Sequence, residues 1–116
     1  MGKVALEGME FYARHGYYEE ERKIGNKYSV DVELDVDFTD AAMDDKLEGT
    51  VNYERVYEVV AEVMNIDAQL LEHLAGKMIR QLKTEFPQVN QVKVKVSKYN
   101  PPIKGLCHRA VVTLEG

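Results

Sequence analysis

From Val30 to Phe38 apolar and polar residues alternate without interruption. Val30, Val32, Leu34, Val36 and Phe38 fall on one face, and Asp31, Glu33, Asp35 and Asp37 on the other. A period of two belongs to a strand with one face packed and one face wet, so this stretch predicts a long half-buried strand. Val4 and Leu6 open a similar, less regular strand that reaches towards His15-Gly16. Val92, Val94 and Val96, alternating with Lys93, Lys95 and Ser97, predict a third strand, and Ala110, Val112 and Leu114 a fourth. The lysines of the third strand can face the acids of the second.

Between the second and third strands the period changes. Tyr53, Val56, Tyr57, Val60, Val63 and Met64 recur at helical spacing, with Asn52 placed to cap the start and Asn65 to stop the helix in a left-handed conformation. Asp67 is placed to cap a second helix whose stripe is Leu71, Leu74, Ala75, Met78, Ile79 and Leu82, and Pro87 ends it. The stretch from Thr39 to Gly49 is acidic and polar and reads as a loop with a short helical turn around Ala41 to Asp44. The predicted order is strand, strand, helix, helix, strand, strand. This is an α+β fold in which two helices cover one face of a four-stranded antiparallel sheet. The charged second face suits water, and it equally suits a sheet that joins its copies edge to edge around a wet tunnel.

A chain of 116 residues has room for a single domain, residues 1–116, with a real core. Its formal charge of -5 argues against nucleic-acid backbones and anionic membranes as partners. The one cysteine, Cys107, cannot form an intramolecular disulfide and reads as a small apolar residue in a reducing compartment. His108 does not make it a nucleophile, because consecutive strand residues point to opposite faces. The stretch from Met1 to Glu7 carries no long apolar region, and Leu6 stands where a myristoylation signal needs Ser or Thr. The expectation is a soluble, untargeted, cytoplasmic protein. His15, His73 and His108 are isolated in sequence and no Gly-rich phosphate loop occurs, so neither a metal nor a cofactor is expected. Chemistry here has to run on Lys, Tyr, Glu and His.

Lys98 is the foremost candidate. It ends an alternating strand and runs into Tyr99-Asn100-Pro101-Pro102-Ile103, so strand and turn together fix where the cation is held. The plain alternative is a solvated strand-end lysine. Glu72 lies in the first turns of the second helix, either as an acid complementing the helix dipole or as a carboxylate gripping a planar N–C–N edge through two parallel hydrogen bonds. Tyr53 either starts an apolar stripe or presents its hydroxyl beside Lys98. Glu21, in the acidic run Glu19-Glu20-Glu21-Arg22 before Gly25, would ordinarily be a solvated hairpin charge, and His15-Gly16 reads first as a turn histidine with its glycine.

Taken in order, Phe11-Tyr12-Ala13-Arg14-His15-Gly16, Glu21 with Gly25, Thr50-Val51-Asn52-Tyr53, Leu70-Leu71-Glu72-His73-Leu74-Ala75 and Lys98-Tyr99-Asn100-Pro101-Pro102-Ile103 closely resemble the dihydroneopterin aldolase family of the folate pathway. The likeness covers essentially the whole chain. Asn26 and Tyr28 stand where the family pattern has Gln and Phe, and Asn52 where some members carry His. The resemblance implies the tunnelling fold, in which four protomers join their sheets into a barrel and two such rings stack into an octamer, with sites between adjacent protomers. It implies a pterin substrate and metal-free, Schiff-base-free retro-aldol cleavage, with epimerisation of the side chain as a companion activity. Lys98 would then be the general acid and base, neutral part of the time through burial or a cationic neighbour. Tyr53 would relay a proton to the enol carbon, and Glu21 would position water or side chain near Lys98. Glu72, helped by the Leu71 backbone, would anchor the pterin amino edge, while Val51 and Asn52 would form the neighbour's wall. The rival readings are an epimerase acting on dihydroneopterin triphosphate and a non-catalytic ring protein that binds a pterin or purine.

Overall fold

The computed structural model describes all 116 residues, Met1 to Gly116. Four strands, β1 (Gly2–Ala13), β2 (Asn26–Val36), β3 (Gln91–Tyr99) and β4 (Arg109–Glu115), form one antiparallel sheet in the order β1-β2-β3-β4. Two long helices, α3 (Tyr53–Met64) and α4 (Leu71–Glu85), lie between β2 and β3 in the chain. Two short ones, α1 (Glu19–Ile24) and α2 (Thr39–Asp44), and a 3-10 turn (Leu47–Gly49) complete the order. No helix is long and apolar enough to cross a membrane.

The alternation read in β2 is the alternation found, since Val30, Val32, Leu34 and Val36 are all buried. They meet Val92, Val94 and Val96 of β3 and the stripes of α3 and α4 in one cluster of 24 buried apolar residues. The irregularity of β1 is a bulge between Leu6 and Met9, where Gly8 takes φ +70° and donates its N–H to Asp31 Oδ1 at 2.6 Å. Phe38 does not extend β2. Asp37 Oδ1 accepts from the Thr39 N–H at 3.1 Å, which turns the chain into α2 two residues after the strand ends.

Asn52 caps α3 as expected, its side chain accepting from the Glu54 N–H at 3.0 Å. The other end differs: Asn65 is right-handed, at φ −78°, because the last turn tightens instead, with the Ile66 N–H donating to Val63 O at 3.3 Å. Nor does Asp67 cap α4. The helix starts four residues later at Leu71, after an extended Leu70, because Ala68 is tied down elsewhere, to the end of β1. The β2 acids and β3 lysines do stand opposite each other, Asp31 to Lys95 and Glu33 to Lys93. Their ion pairs run outward instead: Lys3 to Glu33 and Asp35 at 3.4 and 3.2 Å, and Lys93 to Glu115 at 3.8 Å. At such exposure these pairs add little stability.

Leu82 is fully buried where α4 meets the sheet. Leu82→Ala is expected to destabilise the fold by about 2–5 kcal/mol, through lost transfer energy and the cavity left behind. Denaturant titration checks this.

Candidate active site

At one end of the sheet burial stops alternating. Tyr28, Ser29 and Val30 on β2, and Val96, Ser97 and Lys98 on β3, are all buried. Lys98 stands opposite Tyr28 and is only 8% exposed, so the solvated strand-end lysine is not what the fold contains. Its ammonium pairs with Oε1 of Glu21. Glu21 sits in α1 rather than in a hairpin, and its other oxygen, Oε2, accepts the Tyr18 N–H at 3.1 Å. Both oxygens of one carboxylate are therefore committed, one to the lysine and one to the start of its own helix. Burial disfavours the Glu21 carboxylate. The Lys98 hydrogen bond and charge, the Tyr18 N–H and Arg22 together outweigh that and hold its pKa below the ordinary carboxylate value. Of the two routes expected to keep Lys98 neutral part of the time, burial or a cationic neighbour, the fold supplies burial and sets a carboxylate beside the ammonium.

The end of β3 is held on both sides. Asn26 Nδ2 donates to Tyr99 O at 2.7 Å, and Asn100 turns the chain at φ +48° with its N–H on His108 O at 3.0 Å. Asparagine tolerates that left-handed geometry, and Pro101-Pro102 follow it directly. Lys98, Glu21, Asn26, Asn100 and Pro102 line an open pocket of about 370 Å³.

His15 is also buried here. Its Nδ1 accepts the Ala68 N–H at 3.0 Å, and its carbonyl accepts the Tyr28 hydroxyl at 2.7 Å. Gly16 donates to Ala68 O at 2.8 Å, while Arg22 donates to the Gly16 and Tyr17 carbonyls at 2.7 and 2.8 Å. Gly16 has to be glycine because Glu21 packs against it; a Cβ there would lie 2.5 Å from Glu21 Cβ. Burial pushes the His15 pKa down, against the Met64 carbonyl and Asp67, and pushes the Tyr28 hydroxyl up to about 12. Tyr28, Arg22 and Asn26 were not legible as site-building residues. For Tyr28 the burial was readable from its phase with Val30, but its hydroxyl partner was not.

The remaining candidates are not gathered by one chain. Glu72 stands exposed in the first turn of α4 without an ion-pair partner, next to a half-buried Leu71. Tyr53, at 60% exposure, lines a separate concavity of about 610 Å³ with Val51, Asn52, Phe38 and Leu47. The fold thus presents Lys98 with Glu21 at one place and Tyr53 with Val51 and Asn52 at another.

A sheet of this topology with a buried lysine–carboxylate pair at its end can be compared with known proteins. The family model described as dihydroneopterin aldolase matches residues 4–115. A dihydroneopterin aldolase of Streptococcus pyogenes serotype M1 is 40% identical over 116 residues, covering 99% of this chain and 96% of the relative. One of Bacillus subtilis is 39% identical, covering 99% and 95%. The chain belongs to the dihydroneopterin aldolase family. Among solved structures, one described as a dihydroneopterin aldolase of Vibrio cholerae superposes with TM-score 0.90 at 25% identity, covering 100% of this chain and 97% of that one. The Escherichia coli dihydroneopterin aldolase in complex with neopterin superposes with TM-score 0.91 at 24% identity, covering 100% and 99%. The fold also recurs in a uricase of Bacillus fastidious, TM-score 0.75 at 14% identity, where this chain spans 42% of the longer protein.

Glu21→Gln is expected to destabilise the protein at neutral pH, because it leaves a nearly closed ammonium without its counter-charge. Since the folded state depresses the Glu21 pKa, the stability it confers is complete above the ordinary value of 4.5 and is lost as pH falls through the lower folded value. Melting temperatures of wild type and variant should therefore converge on acidification below that range, and a constant gap would contradict the pairing.

Proposed function

We propose that this chain cleaves 7,8-dihydroneopterin by a retro-aldol reaction, giving 6-hydroxymethyl-7,8-dihydropterin and glycolaldehyde in folate biosynthesis. The observation that carries the reading is the buried Lys98–Glu21 pair opening onto a pocket at the strand end, in a chain of this family. Breaking the side-chain carbon–carbon bond needs a proton removed from the hydroxyl of the departing carbon, and the electrons released flow into the pterin ring. No metal and no lysine Schiff base is required. Lys98 takes up that proton on its amine through a bound water that Glu21 positions, and later returns it to the enol. Tyr53 relays it to the enol carbon. The same proton traffic inverts the hydroxylated side-chain carbon, so epimerisation to the monapterin isomer accompanies cleavage.

Glu72 anchors the amino and ring-nitrogen edge of the pterin with the Leu71 backbone beside it, and Val51 and Asn52 form a wall. Two separate concavities in one chain support a site assembled between copies, with Tyr53 supplied by the neighbour. The outer edges of β1 and β4 are free to pair, which suits a ring of four sheets and an octamer of two stacked rings. A pterin ligand is supported by the neopterin complex of the Escherichia coli protein and by the guanine-bound Burkholderia thailandensis dihydroneopterin aldolase, TM-score 0.76, since guanine presents the same amino-pyrimidinone edge.

The direct test is anaerobic incubation with 7,8-dihydroneopterin in the presence of a chelator, following both products. Stoichiometric hydroxymethyl-dihydropterin and glycolaldehyde uphold the reading. Epimer alone, or faster turnover of dihydroneopterin triphosphate, would move it to the epimerase, and tight binding without turnover to a non-catalytic ring. Lys98→Ala is expected to lower kcat by at least about a hundredfold, the span of a lost acid–base group, with pterin affinity within a few fold. Glu72→Ala is expected to do the reverse, weakening neopterin binding in a fluorescence titration. Unchanged affinity would remove Glu72 from the ring-binding edge.

A further inference from the structure

His15 is a buried side chain that the chemistry above leaves unused. It is 1% exposed, its Nε2 has no partner, and its Nδ1 is an acceptor, which makes it a neutral imidazole with the proton on Nε2. What it accepts from is the backbone of Ala68, four residues before Glu72. Helix α4 starts without a side-chain cap, and its first backbone bond, Leu74 N–H to Leu70 O, is long at 3.4 Å. Nothing within α4 therefore fixes where its first turn begins. The fixing comes from Ala68, held by two hydrogen bonds, one to the His15 ring and one from Gly16.

The same two residues hold the other half of the site. Gly16 supports Glu21 by close contact and is gripped by Arg22 of α1, and the His15 carbonyl takes the hydroxyl of Tyr28, which stands opposite Lys98. His15 thus has β2 and the α3–α4 connection attached to it at once, and the adjacent Gly16 adds α1. We infer that His15 is a positioning residue which, through its bond to the Ala68 N–H, sets the start of α4, and with it Leu71 and Glu72, at a fixed offset from Lys98 and Glu21. The inference deepens the pterin reading and rests on it for what Glu72 holds.

The bond carries a condition, because an imidazolium has no acceptor and protonation of His15 must break it. The groups acting on the ring are Asp67 of the connection and the Met64 carbonyl, which favour the cation, and Lys98 of β3, which opposes it; Tyr28 of β2 bonds to the residue's carbonyl, and burial favours the neutral ring. With its folded pKa lowered, His15 keeps the bond at neutral pH and loses it on acidification below 6.5.

The test compares the intact assembled protein with His15→Leu, His15→Asn and Tyr28→Phe, measuring hydrogen exchange over residues 65–72 without ligand and neopterin affinity between pH 7 and 5. His15→Leu is expected to lose protection over that segment and to weaken neopterin binding about tenfold, as for the loss of one buried hydrogen bond, with kcat much less affected. His15→Asn keeps an acceptor near the Nδ1 position but cannot titrate, so it is expected to restore protection and affinity at pH 7 and to abolish the weakening on acidification shown by the wild type. Tyr28→Phe leaves the imidazole in place and is expected to keep the acid dependence. Unchanged exchange in His15→Leu would overturn the proposal, and so would an acid dependence in His15→Asn equal to that of the wild type. If His15→Leu does not fold, the pH profiles of wild type and His15→Asn decide. A wild type that binds no neopterin would defeat the pterin reading instead, and the exchange pattern would then decide on His15 alone.

Discussion

A lysine ammonium can be buried at the end of a strand only if an acid is brought to it, and Lys98 receives Glu21 from 77 positions earlier in the chain. Much of the local architecture follows from that demand. Helix α1 is only six residues long and has no buried residue of its own, so packing alone does not hold it in place. It is kept there by the Lys98 pair, by Glu21 closing onto Tyr18 N–H, and by Arg22 gripping the Gly16 and Tyr17 carbonyls. The charge pair assigned to the proposed chemistry is thus also a structural fastener of this corner of the fold.

The corner is connected to the rest through backbone groups more than through side chains. Tyr28 hydroxyl to His15 carbonyl, Ala68 N–H to His15 ring and Gly16 N–H to Ala68 carbonyl form a short relay from the sheet to the α3–α4 connection. Each bond is buried or nearly so, where leaving a partner unmatched costs more than an exposed bond is worth. By contrast, the ion pairs on the far sheet face, Lys3 with Glu33 and Asp35 among them, are exposed and contribute little within one chain.

How much of this was legible in the chain depended on whether a feature was local. The period-two runs at Val30–Val36 and Val92–Val96, the α4 stripe and the Asn52 cap follow from spacing alone and are found where spacing put them. In the α3 stripe, by contrast, Val56, Val60, Val63 and Met64 are buried but Tyr53 and Tyr57 are exposed. Asp67 failed as a cap, and the start of α4 moved to Leu71, because a tertiary bond at Ala68 overrode a local preference. The acidic run at Glu19–Glu21 looked like a solvated hairpin because one partner of its helix, Lys98, lies far away in sequence. Family likeness marked Glu21, Lys98, Glu72 and Tyr53 as site residues. Likeness could not say that Glu21 and Lys98 pair directly, nor that the Tyr28 hydroxyl and the His15 ring hold the site together, since those contacts join residues far apart in sequence.

One chain therefore offers a charged pocket with a buried lysine–carboxylate pair, and a separate second concavity headed by an exposed Tyr53. In the proposed assembly the two meet across a subunit boundary, and neither works without the other. The sharpest measurement is co-assembly of Lys98→Ala with Tyr53→Phe subunits, assayed for dihydroneopterin cleavage against each variant alone. Sites shared between copies predict a mixed oligomer that regains activity both parents lack, because some interfaces combine an intact Lys98 with an intact Tyr53. A mixture no more active than its parents would contradict a site divided in this way.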